Sequence, residues 1–253
     1  MMSKILVVGE SCMDIFIYGD TPRLSPEGPA PVFIPTNEKY NGGMAANVES
    51  NLQQFGIDVD MITNTESITK TRYVHESSNT LLLRVDEGDV VKRVEDSKLK
   101  NVDYWEYNMV VISDYNKGFL TEEDIAYLAY KHPNIICDTK KKLGDWCKDL
   151  KFIKLNRSEY ENNKEFIQNN DWILEKLIVT LDKDGCMYNG KSYPTHKVEI
   201  LDISGAGDTF VSAFAFSWIE TSNVGKSIEY ANNCSSQVVQ QRGVSVVNPK
   251  KIK

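Results

Sequence analysis

An α/β fold with a mostly parallel central sheet and a small β lid is what this sequence of 253 residues predicts. Three observations carry that expectation. Short continuous runs of β-branched and aliphatic residues recur, the pattern of strands buried on both faces. From Met109 onward those runs alternate with helical patterns, and each run ends in a polar cluster. Two earlier stretches, about residues 15–40 and 66–92, have the alternating, proline-broken texture of a separate small sheet. α/β folds of this length are often single domains, so residues 1–253 are expected to form one unit with those two stretches as its lid.

Taken in order, Ile5–Val8 is the first buried run, closed by Gly9. Its C-terminal end should face a ligand, and Asp14 lies just beyond it. A carboxylate there can accept hydrogen bonds from substrate hydroxyls, or it can be a solvated loop aspartate. From Ile15 to Tyr40 the prolines at 22, 26, 29, 31 and 35 leave only short β-like pieces. Asn41-Gly42-Gly43-Met44-Ala45-Ala46-Asn47 then leads into a helix in which Ala45, Val48, Leu52 and Phe55 share a face and Gly56 supplies the stop. The glycine pair permits close approach of a ligand that Asn47 can reach. Thr71–Glu76 and Asn79–Val85 both alternate around Ser77-Ser78, a hairpin whose Lys70, Arg72 and Arg84 are candidate phosphate contacts or merely edge charges.

The regular half begins at Met109–Ile112, whose ligand-facing end carries Asp114-Tyr115-Asn116-Lys117-Gly118. Thr121 with Asp124 three residues on is a capping box opening the next helix, and Pro133 lies beyond its end. Ile135–Cys137, ending in Asp138, and Phe152–Leu155, ending in Asn156-Arg157-Ser158-Glu159, are further strands. Leu177–Thr180 completes the set. Between Glu159 and Leu177 there is room for a short helix at most.

Two stretches look able to handle phosphate. Gly185-Cys186-Met187-Tyr188-Asn189-Gly190-Lys191-Ser192 spells G-x-x-x-x-G-K-[ST], but a P-loop needs a helix starting at its Lys-Ser. Here Asn189-Gly190 is a hairpin-turn pair, and 193–200 is expected to continue as strand, so Lys191 becomes a surface turn residue. Leu201–Phe210 has the required context. Gly205-Ala206-Gly207 precedes a helix marked by Phe210, Val211, Phe214 and Trp218, and a helix N-terminus offers unpaired N–H groups and positive potential to an anion. Asp208 can take a proton from an attacking hydroxyl while those amides hold the transferred group. It can equally cap a tight turn.

A net charge of −7 argues against nonspecific nucleic-acid binding, so an anionic ligand must meet locally placed Lys and Arg. The five cysteines form no Cys-x-x-Cys pair and the three histidines stand apart, which disfavours a zinc site or disulfide framework. No apolar run approaches a membrane span and none resembles a signal peptide. The expectation is a cytoplasmic protein with no membrane or nucleic-acid partner.

Several separated motifs together resemble the ribokinase-like (PfkB) family of carbohydrate kinases. Asp202–Phe210 matches that family's Asp-x-x-Gly-Ala-Gly-Asp-[Thr/Ser]-Phe signature, and Gly42-Gly43 with Asn47 matches its opening one. Within the family the likeness is strongest to kinases that phosphorylate D-glycero-D-manno-heptose 7-phosphate at O1. It is carried by Ser25-Pro26-Glu27-Gly28-Pro29-Ala30-Pro31-Val32, Thr69-Lys70-Thr71-Arg72, Ser113–Gly118 and Asn156–Glu159. The resemblance implies a three-layer α/β/α fold and use of ATP and Mg2+. It implies Asp208 as base and the amides of Gly205, Ala206 and Gly207 as anion hole. Asp14, Gly43 and Asn47 would hold sugar hydroxyls, with Asp114 beside them at the substrate. Lys70, Arg72, Arg84 and Lys117 would hold the substrate's phosphate, which meets the need for a local basic cluster. On the nucleotide side it implies Asn156, Glu159, Thr180, Gly185 and Asn232, with Glu159 reaching the metal through water. A lid with an exposed apolar face suggests a homodimer. Asp138-Thr139-Lys140 departs from the family's commoner Asp-Pro-Lys. A nucleotidyltransferase domain often fused to heptose kinases is not expected here. A kinase of ribose, fructose or adenosine, or a catalytically weak homologue that binds nucleotide or sugar phosphate, remains the alternative.

Overall fold

Strand β1 (Lys4–Gly9) lies inside the larger of two sheets, and its Ile5, Leu6, Val7 and Val8 side chains are almost wholly buried. The structure, a computed structural model, describes residues 3–252. The chain leaves β1 into two long antiparallel strands, β2 (Ser11–Leu24) and β3 (Pro31–Met44), and then enters helix α1 (Ala45–Gln54). Strand β4 (Asp58–Ile62) returns beside β1 as an edge. Strands β5 (Thr69–His75) and β6 (Thr80–Glu87) complete a four-stranded second sheet in the order β3-β2-β5-β6. The short helix α2 (Asp96–Lys100) leads to β7 (Met109–Asp114), which pairs with the other side of β1.

From there each connection adds one strand outward. Helix α3 (Glu122–Lys131) precedes β8 (Ile135–Thr139) and then β9 (Phe152–Asn156). Two short helices, α4 (Arg157–Asn162) and α5 (Lys164–Gln168), precede β10 (Leu177–Thr180). The hairpin β11 (Cys186–Tyr188) and β12 (Lys191–Tyr193) closes the sheet, whose order is β12-β11-β10-β9-β8-β7-β1-β4. Every pair from β4 to β10 is parallel, so the C-terminal ends of β1, β7, β8, β9 and β10 share one edge. Helices α6 (Ala206–Thr221) and α7 (Val224–Val238) follow.

Because strand side chains alternate, the main sheet feeds two cores. Ile5, Val7 and Val111 pack towards α1, α6 and α7, whereas Leu6, Val8 and Ile112 pack towards α3. Phe152 meets Phe214 and Trp218 edge-on at 5.0 Å, fixing α6 against the sheet. The Thr121–Asp124 capping box forms as expected.

Two expectations are corrected, and one strand was not anticipated. The proline-broken stretch makes long strands rather than short pieces: Pro31 and Pro35 sit on edge strand β3, where a missing N–H costs little, and β2 and β3 absorb the irregularity through register shifts. Strand β4 has no continuous apolar run because it is a half-exposed edge. Residues 194–200 are irregular, so the chain stops being strand after Tyr193. The G-x-x-x-x-G-K-S stretch is a hairpin with Asn189 and Gly190 both at positive φ (46° and 71°) and no helix at Lys191. Among the described residues no helix is long and apolar enough to cross a membrane.

Candidate active site

The second sheet supplies one wall of the site. Register places Asp14, Lys70 and Asp86 side by side in one cross-strand row, and Phe16, Arg72 and Arg84 in the next row of the same face. All but Phe16 line a cavity of about 310 Å³ whose opposite wall is Asp208, Gly205, Ser204, Tyr115, Lys117 and Lys140. Arg72 pairs with Asp14, Lys117 pairs with Asp89, and Arg84 grips Asp86 through two bonds of 2.7 Å. Lys70 is different. It is 7% exposed, and among the described residues it makes no salt bridge or side-chain hydrogen bond; its ammonium lies 5.0 Å over the face of Tyr115, and its charge is felt by its cross-strand neighbour Asp86.

Asp208 sits in the first turn of α6, fully buried. Asn47 Nδ2 donates to one carboxylate oxygen at 2.9 Å and the Tyr115 hydroxyl donates to the other at 2.8 Å. Burial raises its pKa from 3.8 to about 6, against the lowering effect of those two bonds. Burial and the Asp208 charge together hold the Tyr115 phenol well above its ordinary range, so it stays a donor. Gly205 enters the helix in the left-handed conformation at φ 78°, and a Cβ there would lie 2.6 Å from Asn47 Nδ2. The Ala206 N–H is directed to Ile203 O at 3.2 Å, which weakens the expectation that all three amides of the loop are free. The Gly207 N–H lies in the first turn, where no intrahelical acceptor exists.

Gly43 also has a steric reason, though a different one from that expected. A Cβ there would fall 2.0 Å from Asp14 Oδ2, so the missing side chain makes room for the neighbouring carboxylate. Asn47 likewise touches Asp208 directly. Asp114 is corrected: it is fully buried, accepts from Thr139 Oγ1, Lys141 Nζ at 3.0 Å and Asn116 N at 3.1 Å, and does not line the cavity. It organises the loop that carries Tyr115 and Lys117.

Of the residues expected on the nucleotide side, Asn156 and Glu159 form a capping box at the start of α4, and Glu159 also pairs with Lys140. Thr180 is the register partner of Asn156 on the same sheet edge. Gly185 and Asn232 do not reach the cavity. Gly185 abuts the Tyr193 carbonyl, to which Asn232 Nδ2 donates at 3.0 Å, so both brace the β12 end.

Several residues in or behind the site went unrecognised in the sequence. Tyr115 stood inside a quoted string without a role. Lys140 follows the end of β8, a position that invited attention. Asp86 follows from Arg84 by strand alternation. Met44, at φ 58° beside Gly43, has no sequence signal. Glu10 is fully buried and gathers the N–H groups of Tyr115 (2.8 Å), Lys117 (2.9 Å) and Phe119 (3.3 Å).

The two-sheet architecture with a site at the strand ends is that of the ribokinase-like α/β kinases. The chain superposes on Escherichia coli phosphofructokinase-2 in complex with potassium (TM-score 0.74, 13% identity, 100% and 98% of the two chains). It also superposes on Thermotoga maritima ribokinase (TM-score 0.71, 16% identity, 98% and 97%) and on Arabidopsis thaliana ribokinase complexed with ribose and ATP (TM-score 0.70, 15% identity, 98% and 97%). Residues 63–251 match the pfkB family carbohydrate kinase model, and the chain belongs to that family. Among curated proteins, the bifunctional protein HldE of Helicobacter pylori strain ATCC 700392 / 26695 is 29% identical over 306 aligned positions, covering 99% of this chain and 66% of that protein. The HldE of a Nitratiruptor species is 27% identical, covering 100% and 64%. The chain thus spans about two thirds of the length of the curated relatives it matches.

Proposed function

We propose that this carbohydrate kinase transfers the γ-phosphoryl group of ATP to the anomeric hydroxyl of a sugar phosphate, D-glycero-D-manno-heptose 7-phosphate, to give the 1,7-bisphosphate. One observation carries the phosphosugar assignment: the cavity that holds Asp208 also gathers Lys70, Arg72, Arg84 and Lys117, and among the described residues Lys70 alone of these four makes no salt bridge. The Lys70 ammonium, set between Asp14 and Asp86 in its cross-strand row, keeps its donors for a substrate phosphate. Arg72, Arg84 and Lys117 line the same space and can exchange their carboxylates for that phosphate. The four sequence strings shared with heptose 7-phosphate kinases support the choice of sugar. The neighbouring ribokinase structure that holds ribose and ATP supports ATP as donor.

In this mechanism Asp208 accepts the proton of the attacking hydroxyl as its oxygen bonds to the γ-phosphorus and the bond to the ADP oxygen breaks. Asn47 and Tyr115 hold the carboxylate in place, and the α6 N-terminus, chiefly the Gly207 N–H, faces the charge on the transferred group. Asp14 and Asn47 orient the sugar. Asn156, Glu159 and Thr180 form the nucleotide edge, with Gly185 and Asn232 bracing the wall behind it. Among the described residues no three His, Cys, Asp or Glu side chains gather into a metal cage. Asp138 Oδ1, buried without a hydrogen-bond partner, and Glu159 both neighbour the Lys140 ammonium and fit a Mg2+ reached through water. When bound, that ion neutralises phosphate charge. A cytoplasmic location and a homodimer through the outer face of the second sheet complete the proposal.

A coupled ADP-release assay over sugars with and without a terminal phosphate tests the assignment. Heptose 7-phosphate should give the highest kcat/KM, and Asp208→Asn should lower kcat at least about a thousandfold with nucleotide affinity within about threefold. Equal turnover of unphosphorylated sugars would refute the substrate class, and an Asp208→Asn variant retaining a few per cent of activity would refute the base.

A further inference from the structure

Lys140 belongs to neither the sugar set nor the nucleotide set above, yet it stands between them. Its backbone is pinned where its N–H donates to Asp114 O at 3.0 Å, just past the end of β8. Its ammonium pairs with Glu159, lies 3.9 Å from Asp138 Oδ1, and sits 5.4 Å over the ring of Tyr115, whose hydroxyl bonds Asp208. The same side chain lines the cavity. Asp138 gives its other oxygen to the buried Lys154 at 2.9 Å, which leaves Oδ1 buried with no hydrogen-bond partner. Three carboxylates, Asp138, Glu159 and Asp208, therefore lie around the ammonium groups of Lys140 and Lys154.

We infer that the Lys140 ammonium holds a divalent cation's place at Glu159 and, when that cation loads, swings on its flexible stem to contact the transferred phosphoryl group. This inference rests on the kinase assignment above. A lysine is suited to the exchange because its charge is compact, its stem has four rotatable carbons, and it binds phosphate as a point charge. Burial works against its charge, but Asp138 and Glu159 outweigh that and raise its pKa, so it remains an ammonium through neutral pH. Glu159 Oε1 already accepts from Lys140 and from Asn156 Nδ2 at 2.8 Å, so a cation approaching that oxygen meets the charge of the ammonium. The ion pair is thus a competitor for the metal in the empty enzyme and a source of phosphate contact in the loaded one.

The test compares Lys140→Met and Lys140→Arg with the parent. Mn2+ binding is followed by electron paramagnetic resonance on the full chain with neither sugar nor nucleotide, and thermal melts establish that the variants fold. Lys140→Met should bind Mn2+ at least about fivefold more tightly, because the competing positive charge at Glu159 Oε1 is gone, while Lys140→Arg stays within about twofold of the parent. In turnover, Lys140→Met should lose about a hundredfold or more in kcat with KM for the sugar within about threefold, and Lys140→Arg should recover part of the loss. Unchanged Mn2+ affinity in Lys140→Met, or a kcat within about threefold of the parent, overturns the inference. If the parent releases no ADP with any sugar, the kinase assignment fails on its own, and the Mn2+ comparison still decides the exchange at Glu159.

Discussion

Asp208 is held by two donors from opposite sides of the molecule, Asn47 from the helix after the second sheet and Tyr115 from the loop after β7. Its titration cuts two ways. Because burial lifts the folded-state pKa from 3.8 to about 6, the folded protein binds a proton that the unfolded chain has released between those values. Stability from this group is present below about pH 4 and falls by ~3 kcal/mol as pH rises through about 6. Activity goes the other way, since a base must be ionised. The kcat/KM profile should rise through about pH 6. Tyr115→Phe removes one of the two bonds that favour the ionised form, so the acid limb should move up by about one pH unit. A limb that stays in place in the pH–rate profile would detach Tyr115 from the base. Of the residues around Asp208, Asn47 was readable from its glycine-led helix entry. Tyr115 was not, because a contact spanning 93 positions of sequence leaves no local periodicity.

At the level of elements, strand alternation explains why the charged residues of the second sheet converge. Lys70 and Arg72 on β5 face the cavity with Arg84 and Asp86 on β6, while Thr71, Tyr73, Leu83 and Val85 face away. That much follows from a two-residue period, and the lysine and arginines were legible for that reason. Their carboxylate partners were not, since ion pairing depends on register between strands, which the chain settles only on folding. The entry to α6 was legible in outline as a loop feeding a helix. Its Ile203–Ala206 turn bond, which withdraws one amide from any anion, was not. Gly205→Ala should show how tightly this entry is built. Its φ of 78° and the 2.6 Å approach to Asn47 Nδ2 imply a cost of about 1–3 kcal/mol, a lowered Tm, and at least a tenfold loss in kcat as Asn47 is pushed off Asp208. Unaltered kinetics would mean that the Asn47 bond is dispensable.

Across the whole molecule, the buried strands of the main sheet were foreseeable from continuous apolar runs, whereas β4 and β3 were hidden by their place on edges and the length of β2 by its register shifts. The second sheet turns its charged face to the site and leaves Met13, Tyr40, Leu83 and Val85 exposed on the other. An exposed apolar sheet face invites a second copy. Leu83→Asp should shift a dimer towards monomer in analytical ultracentrifugation, and a parent that sediments as a monomer at all concentrations would dispose of that assembly.

Glu10 gives the architecture a wider consequence. Its carboxylate gathers three amides of the Tyr115–Phe119 loop, and its own carbonyl takes the first amide of α1 at 2.9 Å. The two bodies that grip Asp208 are thereby tied to one residue that touches neither the base nor the cavity. A survey of inactivating substitutions would accordingly return Glu10 alongside Asp208, and tolerance maps of this chain would overstate the extent of its chemistry. Scaffold and reaction would separate only in the folded fraction that each variant leaves behind.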